Sequence, residues 1–306
     1  MSKMPAVGSI LRGVSTTGKR EMLGNRRVTG KEQFYTPPTI ADDVVQEVLS
    51  AFPSATAERW LEPAGGSGAF LDAFERAGVE KYWACDIEPC DSRVSEGNFL
   101  TTSFEPTPPW VTVTNPPFGR NNALSVPFFN HAAEFSQVIA FIVPRSWRKW
   151  SVSNRLDHRF HLVSDRDLAI DYVKADGSPI SKRGSLKTCV QVWERRAELR
   201  PKVVVEDRGY IEKVKPDQAD VSLTIFGHGC GTVKTAFERK PNTTQMFLRV
   251  TSPEVLAALE TVDYARFFTR VAYTEALSIK EIFFLLNEYF DGTVGAPTAT
   301  QNQLSF

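Results

Sequence analysis

Asn115-Pro116-Pro117-Phe118 carries the most specific chemistry in this chain. Two consecutive prolines hold the backbone extended and remove two N–H donors. The Pro116 carbonyl is left to accept, and the Asn115 side chain supplies a second carbonyl. Two such acceptors suit the two hydrogens of one planar amino group. Drawing both hydrogens out of conjugation localises the nitrogen lone pair for attack on a methyl donor. Phe118 adds a flat apolar face on which a base can stack. Upstream, Glu62-Pro63-Ala64-Gly65-Gly66-Ser67-Gly68 lies between a strand-like run and a helical one. Glycines there allow close backbone approach, and the helix that follows offers unpaired N–H groups. No Gly-Lys-Ser/Thr is present, which excludes a nucleoside triphosphate loop. Asp86 ends the next strand-like segment, about 24 residues after the turn begins, where an acid suits ribose hydroxyls. These residues favour a nucleoside-containing cofactor; a turn used only for packing is the competing reading of the glycines.

Such groups need elements to hold them. Thr39-Ile40-Ala41-Asp42 has capping-box spacing ahead of Val44, Val45, Val48 and Leu49, which predicts a helix of about 12 residues. Residues 59–62, 81–86 and 111–114 read as strands, and 69–77 as a helix. Residues 138–143 form an apolar run bounded by Pro144, the pattern of a buried parallel strand. Residues 168–173 and 189–193 are expected to pair as a hairpin. Alternating strands and helices predict an α/β sheet. Further on, residues 221–226 and much of 232–250 are strand-like, while 253–259 and 279–289 are helical, which predicts a smaller α+β domain. The expected division is a flexible basic arm over 1–31, a main domain over 32–200, a smaller substrate-recognition domain over 201–290 and a flexible tail over 291–306.

Composition bounds the class. A chain of 306 residues with 42% hydrophobic and 24% charged residues is ordinary for a globular protein and long enough for a full core. Collagen-like, mucin-like and wholly disordered readings are excluded. No apolar run approaches the ~20 residues needed to span a bilayer. No signal-like apolar segment follows the basic N-terminus, so a cytoplasmic location is expected. Four cysteines make no disulfide framework, and the spacings among Cys85, Cys90, His228 and Cys230 fit no zinc pattern, so no metal is expected. The net charge of zero conceals blocks: 7 bases and 2 acids over 1–40, 4 and 13 over 41–106, 15 and 8 over 107–202, 10 and 13 over 203–306. A basic face built from the arm and the middle block would suit a polyanion; solvated surface is the alternative.

The motifs together resemble the S-adenosylmethionine-dependent amino-group methyltransferases, and more narrowly the DNA adenine-N6 enzymes. Four motifs stand in that family's order over residues 33–194. Gln33-Phe34-Tyr35-Thr36-Pro37 is similar to the segment that packs over the methionine end of the cofactor. Glu62 through Gly68 is similar to the cofactor loop, Asp86-Ile87 to the ribose and adenine contacts, and Asn115-Pro116-Pro117-Phe118 to the catalytic loop. The order resembles the family's gamma arrangement, with a variable C-terminal domain. One departure is Asn98-Phe99, where the family usually has Asp-Phe; the Asn98 side-chain oxygen can still accept from the cofactor's adenine amino group. The resemblance implies cofactor contacts at Tyr35, Thr36, Pro37, Glu62, Pro63, Ala64, Gly65, Gly66, Gly68, Asp86, Ile87, Asn98, Phe99 and Asn115. It also implies a Rossmann-like class I methyltransferase sheet, twisted and mostly parallel with helices on both faces, and a base flipped from duplex DNA and held by Asn115 and Pro116 near Phe118.

Other segments bear on partners. Arg145, Trp147, Arg148 and Lys149 interleave bases with aromatics, and contact with DNA is the favoured reading over a loop with its tryptophans packed inward. Lys182 and Arg183 form a short basic loop that reads equally as a backbone contact or a solvated tip. The glycine-rich stretch 227–234, with Arg239 and Lys240, is where the gamma arrangement places sequence recognition. Gln301, Leu304 and Phe306 fit the hexapeptide by which bacterial replication proteins dock on the sliding clamp, with an inert tail as the alternative. An RNA adenine or protein glutamine methyltransferase with the same loop, or a non-catalytic clamp-associated DNA-binding protein, are the competing functions. A prokaryotic or phage-encoded enzyme, with a separate restriction partner or none, fits the leading one.

Overall fold

Alternate residues of β5 (Ser136–Pro144) enter two different cores, which explains the unbroken apolar run over 138–143. The computed structural model describes residues 35–170 and 186–293. Val138, Ala140 and Ile142 pack with Val44, Val45 and Val48 of α1 (Pro38–Ala51) and with Phe70 and Phe74 of α2 (Ala69–Arg76). Ile139, Phe141 and Val143 pack on the opposite face with Phe129 of α3 (Ser125–Ala132), Trp147, Phe160 and Trp193.

Six further strands join β5: β1 (Arg59–Glu62), β2 (Tyr82–Asp86), β3 (Ser95–Glu96), β4 (Trp110–Thr114), β6 (Phe160–Leu168) and β7 (Thr188–Arg195). Their order is β3-β2-β1-β4-β5-β7-β6. Strands β1 to β5 pair in parallel, and β7 runs antiparallel to both β5 and β6. This is the expected Rossmann-like α/β fold, with one reversed strand, β7.

A second, antiparallel sheet has the order β10-β9-β11-β8, formed by β8 (Ile211–Lys213), β9 (Val221–Thr224), β10 (Val233–Lys234) and β11 (Gln245–Val250). Helices α5 (Pro253–Thr261) and α6 (Ile279–Phe290) close its core. Ser278 caps α6 and Glu281 returns the bond, a reciprocal box that satisfies two orphan donors. Trp150, from the short α4 (Trp150–Ser153) after β5, belongs to this second core, 5.1 Å from Phe284 and 5.7 Å from Phe267 between ring centroids. All described residues lie in one compact unit that starts at Glu32.

Some elements differ from expectation. Helix α1 begins at Pro38, with Pro37 at its N-cap and no side-chain cap, so Thr39 is inside the helix instead of capping it. Proline at the first helical position has φ preset and no N–H to satisfy, which starts the helix early. The hairpin partner of β7 runs from Phe160 to Leu168, ahead of the expected 168–173, of which 171–173 lie outside the described residues. Its polar stretch hides it: Ser164 and Arg166 bond the Glu47 carboxylate of α1, and Asp165 takes Arg148. Strand β9 ends at Thr224, and Phe226 makes an isolated bridge to Ala276. No described helix is long and apolar enough to cross a membrane.

Candidate active site at the switch point of the sheet

The order reverses at β1, which has β2 on one side and β4 on the other, so the loops leaving β1 and β4 diverge and leave a crevice at their carboxyl ends. The glycine turn leaves β1, Asp86 ends β2 and Asn115 follows β4. Three of the expected segments therefore meet at one edge.

Close packing explains the glycines. A Cβ on Gly65 would lie 2.9 Å from Val94. Gly66 (φ 42°) and Gly68 (φ 81°) adopt left-handed backbone that L side chains resist, and a Cβ on Gly68 would overlap the Asp91 carboxylate. Gly66 lies under Tyr35, whose ring edge would sit 3.5 Å from an added Cβ. Gly68 is also the N-cap of α2, so the turn delivers the helix N-terminus to the crevice. Asp86 braces the turn: Oδ2 accepts from Gly66 N at 2.9 Å and Oδ1 from Glu88 N at 2.9 Å. A carboxylate has about four acceptor positions, so two remain for hydroxyl groups. Ile87, next in sequence, is 60% exposed and presents an apolar surface there.

Hydrogen bonds tie together the glycine turn, the Asn115 loop and the segment at Tyr35–Thr36. Glu62 Oε1 accepts from Ala64 N at 2.8 Å and from the Thr114 hydroxyl. Asn115 Nδ2 donates to Thr36 Oγ1 at 3.1 Å, which turns the amide oxygen the other way. Glu62 is buried, and burial pushes its carboxyl up to about 8, against the hydrogen bonds from Thr114 and Ala64. Burial and the neighbouring Cys90 thiol raise the Tyr35 hydroxyl to about 12, so it stays neutral. Thr114 was not singled out from sequence, because a β-branched residue at a strand end reads as strand propensity alone.

Several expected contacts are corrected. Phe118 is buried, and its ring is not presented to the crevice. Phe99 is also buried, within an aromatic cluster with Phe128 at 5.1 Å and His131 at 4.8 Å, and its ring is not presented to the crevice. Asn98 is exposed, but its side-chain oxygen already accepts from Leu100 N at 3.1 Å. Trp147 is fully buried and its indole donates to Ser125 Oγ at 3.2 Å, so it offers no surface to DNA. Arg148 grips the Asp165 carboxylate through Nε at 2.9 and 3.0 Å and reaches Asp167 at 2.8 Å and the Thr269 carbonyl at 3.2 Å. Arg145 pairs with Asp167 at 2.7 Å, and Lys149 with Glu281 at 3.4 Å. This basic run is an internal joint whose charges are consumed by carboxylates. Arg239 likewise donates to the carbonyls of Pro216, Asp217 and Ala219. Lys182, Arg183, Gln301, Leu304 and Phe306 lie outside the described residues.

No protein-family model matches the chain, and no curated protein matches its sequence. Among solved structures, the chain is similar to an RNA methyltransferase candidate from Pyrococcus horikoshii at 14% identity and a TM-score of 0.43, over 56% of this chain and 90% of that one. It is similar to the modification subunit of a candidate type I restriction enzyme from Vibrio vulnificus at 15% identity and 0.40, over 55% and 46%. It is also similar to a candidate class I S-adenosylmethionine-dependent methyltransferase from Listeria monocytogenes at 14% and 0.38, over 55% and 62%. Similarity at this level carries neither substrate nor activity across.

Proposed function

We propose that this chain transfers the methyl group of S-adenosylmethionine to the N6 amino group of adenine in DNA. The observation that carries this reading is the Asn115 loop set beside the glycine turn and Asp86 at the switch point, with its amide anchored on Thr36. The cradle fits the cofactor. At Gly66 an added side chain would stand between Tyr35 and Asp86, Asp86 retains acceptor capacity for ribose hydroxyls, and Ile87 offers an apolar face to adenine. Glu62, Pro63 and Ala64 would border the methionine end, with Tyr35 covering Gly66.

S-adenosylmethionine supplies an electrophilic methyl carbon on a sulfonium. Asn115 and the Pro116 carbonyl would accept the two amino hydrogens and free the nitrogen lone pair. When bound, the cofactor would give that methyl to the freed lone pair and keep the C–S bonding pair on its sulfur, and the amino nitrogen would release its extra proton to water. No strong base is needed, because the nitrogen is acidic only after methylation. Alignment and stabilisation of developing positive charge then carry the catalysis. Extracting the base from the duplex costs a few kcal/mol, offset by contacts in the crevice.

The test offers labelled S-adenosylmethionine to duplex DNA, RNA and protein lysate in parallel and digests the product to identify the modified group. Label as N6-methyladenine in DNA is expected. Asn115→Ala is expected to lose turnover while binding cofactor within about threefold of the parent. Label confined to RNA or protein would overturn the substrate, and full activity of Asn115→Ala would overturn the catalytic loop.

A further inference from the structure

The described cations near the Asn115 loop fall into two groups. Arg145, Arg148 and Lys149 are each held by a carboxylate. Arg120 and Arg155 form no ion pair among the described residues, and both are exposed. Arg120 stands five residues after Asn115, in a turn where Gly119 (φ 68°), Asn121 (φ 54°) and Asn122 (φ 61°) all take left-handed backbone. Arg155, two residues after α4, reaches the same turn: its Nη1 donates to the Asn121 carbonyl at 3.3 Å.

The turn is fixed at both ends. Leu124 N and Ser125 N donate to the Phe118 carbonyl at 3.3 and 3.4 Å. Asn122 is buried and its amide donates to Ser146 Oγ at 3.4 Å. Non-glycine residues in left-handed backbone persist only where their surroundings hold them. The turn therefore keeps Arg120 at a set place beside the catalytic loop, with Arg155 docked one residue away.

An exposed guanidinium without a carboxylate keeps its forked donors for a partner, and that fork matches a phosphate. We propose that Arg120 and Arg155 grip the phosphodiester backbone of duplex DNA next to the base handled by Asn115, an inference that rests on the DNA substrate proposed above. They take the place of the Arg145–Lys149 run, whose charges are spent internally. Their contacts set the register of the duplex over the crevice and leave base identity to other residues.

The experiment measures binding of the full chain, saturated with S-adenosylhomocysteine, to a labelled adenine-containing DNA duplex over a series of KCl concentrations. Each phosphate contact contributes about 0.9 to the slope of log affinity against log salt. Arg120→Ala with Arg155→Ala is expected to lower that slope by about 1.8 and to weaken binding at least tenfold at low salt, with cofactor affinity unchanged. Arg120→Lys with Arg155→Lys, which keeps both charges, should restore most of the slope. An unchanged slope in the alanine pair, with the parent binding DNA, overturns the grip and leaves the methyl-transfer reading standing. A parent that binds an RNA oligonucleotide with this arginine-dependent slope and ignores duplex DNA overturns the DNA assignment of both. A parent that binds neither nucleic acid overturns both.

Discussion

Glu62→Gln is the most informative single change, because one buried carboxyl ties two loops of the site. Glu62 is 1% exposed, and its pKa rises from 4.5 to about 8, mainly through burial. A carboxyl that keeps its proton longer in the fold than in the unfolded chain stabilises the fold below pH 4.5. That contribution is lost as the pH rises toward 8, because the unfolded chain ionises first. At about 1.4 kcal/mol per pH unit, the full window between 4.5 and about 8 corresponds to roughly 5 kcal/mol. Glutamine resembles the protonated acid: its carbonyl can accept from Ala64 N and the Thr114 hydroxyl, and it never ionises. Urea unfolding of parent and variant at each pH from 5 to 9 gives the difference directly, and the other titrating groups cancel. The variant should match the parent near pH 5 and exceed it by several kcal/mol near pH 8. Stability differences that stay constant across this range would refute the reasoning, since Glu62 would then titrate alike in folded and unfolded chains.

Three further outcomes are expected. Gly68→Ala places a Cβ on the Asp91 carboxylate at φ 81°, so it should cost at least about 2 kcal/mol and impair cofactor binding, read by thermal unfolding and calorimetric titration. Trp147→Ala should act as a core cavity, costing about 3–5 kcal/mol; a loss of DNA affinity with unaltered thermal unfolding would contradict its burial. Deleting residues 301–306 should abolish binding to a bacterial sliding clamp in surface plasmon resonance while sparing methyl transfer, and an intact chain that shows no binding would dispose of the hexapeptide reading.

The parallel strands were legible because burial on both faces leaves a chemical mark: 138–143 is apolar throughout, and it lies inside β5. The glycine turn was legible because close packing admits nothing larger at Gly65 and Gly68. Strand β6 was not, since its partners are Glu47 of α1 and Arg148 beyond β5, both distant in sequence. Thr114 escaped for the same reason. A threonine at a strand end looks like any β-branched residue until Glu62, 52 positions away, is placed against it.

The basic run after β5 shows how a local pattern misleads when charge is balanced at long range. Arg145 and Arg148 meet acids on β6, Asp165 and Asp167, and Lys149 meets Glu281 on α6. None of those acids is near in sequence, so the run reads as excess positive charge. Burying Trp147 and Trp150 in different cores requires the chain between them to cross from one sheet to the other. A guanidinium at such a crossing is costly unless a carboxylate meets it, and Asp165 does so, itself bonded by Gln191 at 2.8 Å. Arg120 and Arg155 meet no such demand, because both are exposed and water already solvates the charge. Their charge therefore stays at the surface, which is where a phosphate can take it up.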